Sequence, residues 1–266
     1  MHFVDMRAIL KNTIVGLFFL SVVAFSSCEK KHSSQAEARF LWFVYEGNDE
    51  FYAQNPLDVK TSHTGRDTLT EVSSSGNFAI HDNFSEDSLA FYWNFIRTPH
   101  EKWFELEDNA LKLDFRPVSF REKKNPAFIG YRQQHHRFVA TTALNFTPGG
   151  PDDTAGLLCF RNETSNYYLG LSCNNKQMEA FVEKTIVRGG QPVKKRLSIK
   201  KINWNAGHPV YLRVEGKDNT MNFLISEDNE TWETLAEGLA ASYLRIATDG
   251  DSVGTYIGMY ASGKEE

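Results

Sequence analysis

The chain has 266 residues, 41% hydrophobic and 24% charged, with a mean hydropathy of −0.43. That composition excludes an intrinsically disordered protein and leaves one large domain or two small ones. A formal charge of −5 and a pI near 5.9 exclude a globally basic nucleic-acid binder, so no nucleic-acid partner is expected.

The first element in chain order is a signal peptide over residues 1–27. Arg7 and Lys11 give a basic start, and Thr13 to Phe25 is an apolar run of 13 residues. That length suits a signal h-region and is short for a bilayer span. Ser26, Ser27 and Cys28 then resemble a bacterial lipoprotein box, with Phe25 where such a box usually carries Leu. There the thiol of the first mature residue is diacylated, which makes Cys28 the expected lipidation site. The expected location is the bacterial cell envelope, at the outer membrane or cell surface, with the membrane met through a lipid anchor only.

Residues 28–77 read as a polar tether and an irregular segment. EKKHSSQAEA has no hydrophobic pattern. FLWFVYEG reads as one strand, and the turn-rich residues after it make the stretch an edge strand with a long loop, or a linker.

Residues 78–266 read as one β domain. Strand signals recur from His81 with short gaps: SLAFYWNFIRTP, WFELEDNALKLDF with Asp108-Asn109 as a hairpin turn, and the Phe138-Ala140-Thr142-Leu144-Phe146 face. AGLLCF, YYLGLSC, EAFVEKTIV and VKKRLSIKKI follow, the last two joined at RGGQ; PVYLRVEG, TMNFLISED, WETLAEG and VGTYIGMYAS complete about a dozen strands. Helical periodicity is nearly absent, apart from a short turn expected within 239–247. The fold class is therefore all-β, a two-sheet antiparallel jelly-roll sandwich of the lectin-like kind.

Few residues announce chemistry. Cys159 and Cys173 lie in one hairpin. A turn at Glu163-Thr164 would set Cys159 opposite Tyr168 and Cys173 on the other face, so two buried free thiols are expected. No CxxC, zinc spacing, GxSxG or HExxH occurs. His135 and His136 are strand neighbours that point to opposite faces. Trp93 reads as core, because it alternates with Phe91 and Phe95. Trp103, after a Pro and a charged turn, is the better stacking residue. The basic stretch 188–201 reads as a solvated hairpin face. Asp82, with Asp249 and Asp251 late in the chain, is the candidate for a structural Ca²⁺ of the kind lectin-like sandwiches hold.

Ordered pieces of the run from Asp82 to Gly258 resemble one family. DNFSEDSLAFYWNFIRTP, NPAFIGYRQQHHRFVATTALNFTP, DDTAGLLCFRNETSNYYLGL, PVYLRVEG with FLISEDNETW, and VGTYIGMYASG resemble, in order, the C-terminal concanavalin A-like domain of glycoside hydrolase family 43 β-xylosidases and arabinofuranosidases. The resemblance implies a concanavalin A-like sandwich of the lectin/glucanase type and a sugar context. In that family a propeller that precedes this domain carries the catalytic carboxylates. Only about 50 mature residues precede Asp82 here, so the expectation is a stand-alone lipoprotein without the propeller.

The expected function is a non-catalytic carbohydrate-binding or accessory protein for xylan- or arabinan-type polysaccharide or oligosaccharide, working beside a separate glycoside hydrolase. The alternatives are a small family 43-related hydrolase, with Glu105 and Glu107 as its strand-borne acids, or a degenerate fragment of one. The candidate sugar-binding set is Arg97, Trp103, Tyr131, Arg132 and His135. These supply an aromatic platform and forked donors for hydroxyls. Tyr131 and Arg132 point to opposite faces of a regular strand, so only one of them is expected to take part.

Overall fold

The computed structural model describes residues 36–48, 77–205, 207–244 and 254–264. The segment expected to be a signal peptide, Cys28, Asp249 and Asp251 lie outside the described residues. Among those described, fifteen strands and one 3-10 turn, Ala241–Leu244, form two antiparallel sheets packed as a sandwich. The eight-stranded sheet runs β14 (Glu233–Ala240), β13 (Thr220–Ser226), β12 (Val210–Lys217), β7 (Phe138–Thr147), β1 (Glu37–Asn48), β5 (Ala110–Leu113) and β4 (Phe104–Glu107), with β2 (Asn77–Asp82) also paired to β1. The seven-stranded sheet runs β11 (Gln191–Lys201), β10 (Gln177–Arg188), β9 (Ser165–Asn174), β8 (Thr154–Asn162), β15 (Tyr256–Ser262), β6 (Ala127–Arg132) and β3 (Trp93–Phe95).

Turn chemistry fixes the hairpins. Asp108 and Asn109 both take positive φ between β4 and β5, as do Gly189 and Gly190 between β10 and β11. Two consecutive left-handed residues match the right-handed twist of the flanking strands. The strand expected at 40–47 forms as β1, but it lies between β7 and β5 in the interior of its sheet. It is neither an edge strand nor a linker, and residues 37–48 belong to the sandwich.

The core between the sheets follows the period-two pattern. Phe43, Leu144 and Leu212 of one sheet meet Ile129, Leu157 and Leu169 of the other. The outer face of the seven-stranded sheet carries a second buried cluster of Phe128, Leu158, Phe160, Tyr168, Phe181 and Tyr260, covered by Phe120 and Ile96. Close backbone approach requires glycine at 258: a Cβ there would lie 2.1 Å from the Ile129 carbonyl oxygen across the ladder.

The β8–β9 hairpin corrects the cysteine register. Asn162 pairs with Ser165 as expected, but Arg161 is an extra residue, and Cys159 therefore faces Tyr167. Cys159 and Cys173 thus share the inward face, too far apart along the ladder to join. Cys159 is a free thiol sealed in the core, and burial pushes its pKa far above the usual thiol range. Cys173 is disulfide-bonded rather than free.

Candidate functional site

The segment between β6 and β7 gathers the polar residues of the sequence reading. Tyr45 of β1 is fully buried and anchors that segment. Its hydroxyl oxygen accepts the backbone N–H groups of Gln134 and His135, both at 3.2 Å, and pairs with His135 Nδ1 at 3.2 Å. The Tyr45 ring stacks on Phe138 at 5.6 Å and tilts against Tyr131 at 4.9 Å. Glycine at 47 makes room for the imidazole: a Cβ there would lie 2.0 Å from His135 Nδ1. Gln133 and His136, on the open side of this segment, line a cleft of about 380 Å³ together with Asp218, Thr220 and Thr255. His135 is buried and His136 exposed, the opposite facing that strand neighbours would show, although this segment is not strand.

The five sugar-binding candidates do not converge. Trp103 is only 1% exposed and has no ring face to offer a sugar. Its Nε1 donates to Asn125 Oδ1 at 2.8 Å, and Asn125 Nδ2 donates to the Ile96 and Arg97 carbonyls at 2.8 and 2.9 Å. The charged turn before it is tied down by an ion pair between Glu101 and Arg116. Arg97 takes φ +64° and donates to the Lys124 carbonyl at 2.9 Å and to the Glu163 carboxylate. It ties the segment after β3 to the β8–β9 turn. Tyr131 and His135 are buried on the inward side, at 5% and 6% exposure. Arg132 points the other way, as alternation requires, and is exposed beside Tyr256. Of the five, Arg97 and Arg132 are therefore the two with solvent-facing side chains.

The Asp82 carboxylate is held by donors of the segment that follows β2. It accepts the Phe84 backbone N–H at 2.8 Å, the Tyr92 hydroxyl at 3.0 Å and Trp93 Nε1 at 2.8 Å. Burial, and then the Asp82 carboxylate, push the Tyr92 pKa up to about 12. Trp93 is core as expected, packed edge-on to Phe43 at 5.1 Å, but not through alternation, since Phe91 two residues before it is 99% exposed. Among the described residues no group of three or more His, Cys, Asp and Glu stands close enough to hold a metal ion.

Residues 81–266 match the family described as the beta xylosidase C-terminal concanavalin A-like domain. The chain belongs to this family. The match begins at His81, so β1 and most of β2 precede it while completing the same sheet. A xylosidase/arabinosidase of Butyrivibrio fibrisolvens is 27% identical over 260 residues, covering 96% of this chain and 48% of that protein. The non-reducing end alpha-L-arabinofuranosidase BoGH43B of Bacteroides ovatus is 26% identical over 189 residues, covering 69% of this chain and 34% of that protein. The chain thus spans between a third and a half of the length of these curated relatives. Among solved structures, a GH43_12 protein from capybara gut metagenome superposes with a TM-score of 0.64 at 23% identity, over 71% of this chain and 35% of that one. The Bacteroides ovatus xyloglucan-locus GH43B gives a TM-score of 0.57 at 26% identity, over 68% and 35%.

Sequence reading missed Tyr45, Gln133 and Asp218. Tyr45 could have been found by asking which strand supplies a buried partner for the RQQHHR segment. Asp218 lies on a tight turn whose approach to Arg137, at 2.9 Å, depends on the β7–β12 pairing.

Proposed function

We propose that this protein is a non-catalytic, carbohydrate-binding accessory module for xylan- or arabinan-type polysaccharide, held at the bacterial cell envelope by a lipid on Cys28 and working beside a separate glycoside hydrolase. The observation that carries the reading is the family membership of the sandwich, whose relatives are named for xylosidase and arabinosidase activities. The strand-borne acids add support. Glu105 and Glu107 share one face of β4, but Lys112 Nζ bridges them at 3.9 and 3.4 Å, and Arg39 holds Glu107 at 3.5 Å. Hydrolysis needs two carboxylates facing each other across a scissile bond. Here an ammonium group stands between two carboxylates on the same open surface.

The competing reading is a hydrolase that uses these acids. Incubating the mature protein with aryl xylosides and aryl arabinofuranosides separates the two. No product is expected. Turnover that disappears in Glu107→Gln would overturn the accessory reading.

A further inference from the structure

The two outer faces of the sandwich are treated differently. The seven-stranded sheet hides its outer face under Phe120 and Arg121. The outer face of the eight-stranded sheet has no such cover among the described residues, and it carries aromatic rings. Phe43 and Tyr45 of β1 and Leu212 and Val214 of β12 point into the core, so alternation turns Trp42 and Tyr211 outward. The ladder places both opposite Ala143 of β7. Their ring centroids stand 6.1 Å apart with a 35° tilt, and Ala143 between them is fully buried, so the two half-exposed rings close over one small floor residue.

The next row continues the surface with polar groups. Arg213 lies flat on Trp232, its guanidinium carbon 3.6 Å from the ring centroid, and its Nε donates to Thr141 at 3.3 Å. A further row on, the face opens into a cleft of about 600 Å³ lined by Glu46, Glu215, Arg137, Lys217 and Asn222 around Val139. From Trp42 to Glu46 the strand advances about 13 Å, which is room for a few sugar rings in a row.

We infer that this face binds a chain of neutral sugars of the xylan type, with Trp42 and Tyr211 as the stacking floor and Glu46, Glu215 and Asn222 as hydroxyl partners. The inference rests on the carbohydrate reading above and names the site for it. Two partly exposed rings side by side match the apolar face of a pyranose. Carboxylate oxygens beside them accept sugar hydroxyls that would otherwise bond water, and Asn222, whose Oδ1 takes the Gly238 N–H at 2.9 Å, offers its Nδ2 as a donor. The charges are locally balanced: Arg213 stands 4.0 Å from Glu215, Arg137 pairs with Asp218, and Lys217 lines the same cleft as Glu46. A balanced surface favours an uncharged ligand over a uronic-acid polymer. Protein-docking patches instead concentrate apolar residues at the centre and are depleted of charge there. Here a charged row shares the face with the rings.

Titration calorimetry of the mature protein with xylohexaose, repeated on Trp42→Ala, Tyr211→Ala and Glu215→Gln, tests the site. Circular dichroism first establishes that each variant is folded. Each is expected to bind at least tenfold more weakly than the parent, while Lys195→Ala, on the exposed edge strand of the other sheet, binds as the parent does. A folded set of variants that all bind like the parent overturns this site and leaves the carbohydrate reading standing. A parent that binds neither xylohexaose nor a panel of neutral oligosaccharides overturns both. Loss of a complex with a family 43 propeller protein on Trp42→Ala, without any sugar binding by the parent, assigns the face to a protein partner and also overturns the inference.

Discussion

Tyr45→Phe isolates one oxygen atom at the centre of the β6–β7 connection. The Phe ring keeps the packing on Phe138 at 5.6 Å and on Tyr131 at 4.9 Å. What leaves is an acceptor for two backbone N–H groups and a partner for His135 Nδ1, each at 3.2 Å. Gln134 is exposed, so water replaces the lost bond there. His135 is buried, and its N–H and ring nitrogen lose a partner that water does not readily replace. An unsatisfied buried group costs about 1–3 kcal/mol. The long donor–acceptor distances put each group at the low end, so the expected loss is about 2–3 kcal/mol. For a sandwich of this size that corresponds to a Tm lower by about 4–12 °C. Urea unfolding should show a lower midpoint with an unchanged slope, since the surface exposed on unfolding is the same. His135→Phe alone and with Tyr45→Phe closes a double-mutant cycle, whose coupling should be about 0.5–3 kcal/mol. A Tyr45→Phe protein within about 0.5 kcal/mol of the parent would refute the claim that this hydroxyl holds the segment lining the Gln133–His136 cleft.

Two further outcomes are expected. Cys28→Ala should move the protein from the membrane fraction to the soluble one or block its processing, because the tether after Cys28 has no apolar surface of its own to hold a membrane. The intact mass of the parent should show the lipid; since diacylation consumes the Cys28 thiol, the same mass separates lipidation from a disulfide at that residue. Asp228 should give a pH signature. Its carboxylate accepts the backbone N–H groups of Thr231 and Glu230 and the Ser226 hydroxyl, and these bonds hold its pKa well below the usual Asp range. A depressed folded pKa means that the stabilisation is complete above the unfolded value, near 4, and lost as pH falls through the folded one. Denaturant midpoints of the parent and Asp228→Ala should therefore differ most at neutral pH and converge below about pH 4; a gap that stays constant down to pH 2 would contradict the turn geometry that carries Trp232 onto Arg213.

The sandwich was legible because its hairpins are written locally. Asp108-Asn109 and Gly189-Gly190 name their own turns, and the Phe138–Phe146 alternation names an inward face. The aromatic platform was not legible, and β1 shows why. FLWFVYEG puts Trp42 and Val44 outward and Phe43 and Tyr45 inward, so its two faces look alike in sequence. The register of that strand also shifts between Phe40 and Trp42 where it pairs with β7, which moves the outward set by one residue. The bulge at Arg161 does the same to the Cys159 pairing. Trp103 misled for a different reason. A tryptophan beside charged residues looks exposed until Asn125, 22 positions later, supplies the acceptor for its indole N–H.

The seven-stranded sheet carries apolar side chains on both faces, and this determines where a ligand can reach the sandwich. Phe128, Leu158, Phe160, Tyr168, Phe181 and Tyr260 together would make an exposed patch larger than monomeric proteins usually tolerate. Phe120 closes over Tyr260 at 4.9 Å and Tyr168 at 5.7 Å. Its neighbour Arg121 pins the cover through Thr185 at 2.9 Å and the Glu183 carboxylate, which Arg196 flanks from the other side at 3.4 Å. A buried carboxylate left without these cations would be costly, so opening the cover means breaking the ion pair as well as exposing the rings. This face is therefore shut by strong, local interactions. The eight-stranded sheet interleaves Ala143, Thr141 and Val139 with rings and charges on its outer face, and no described residue closes over them as Phe120 does on the other sheet. Among the described residues, that face stays open to a ligand.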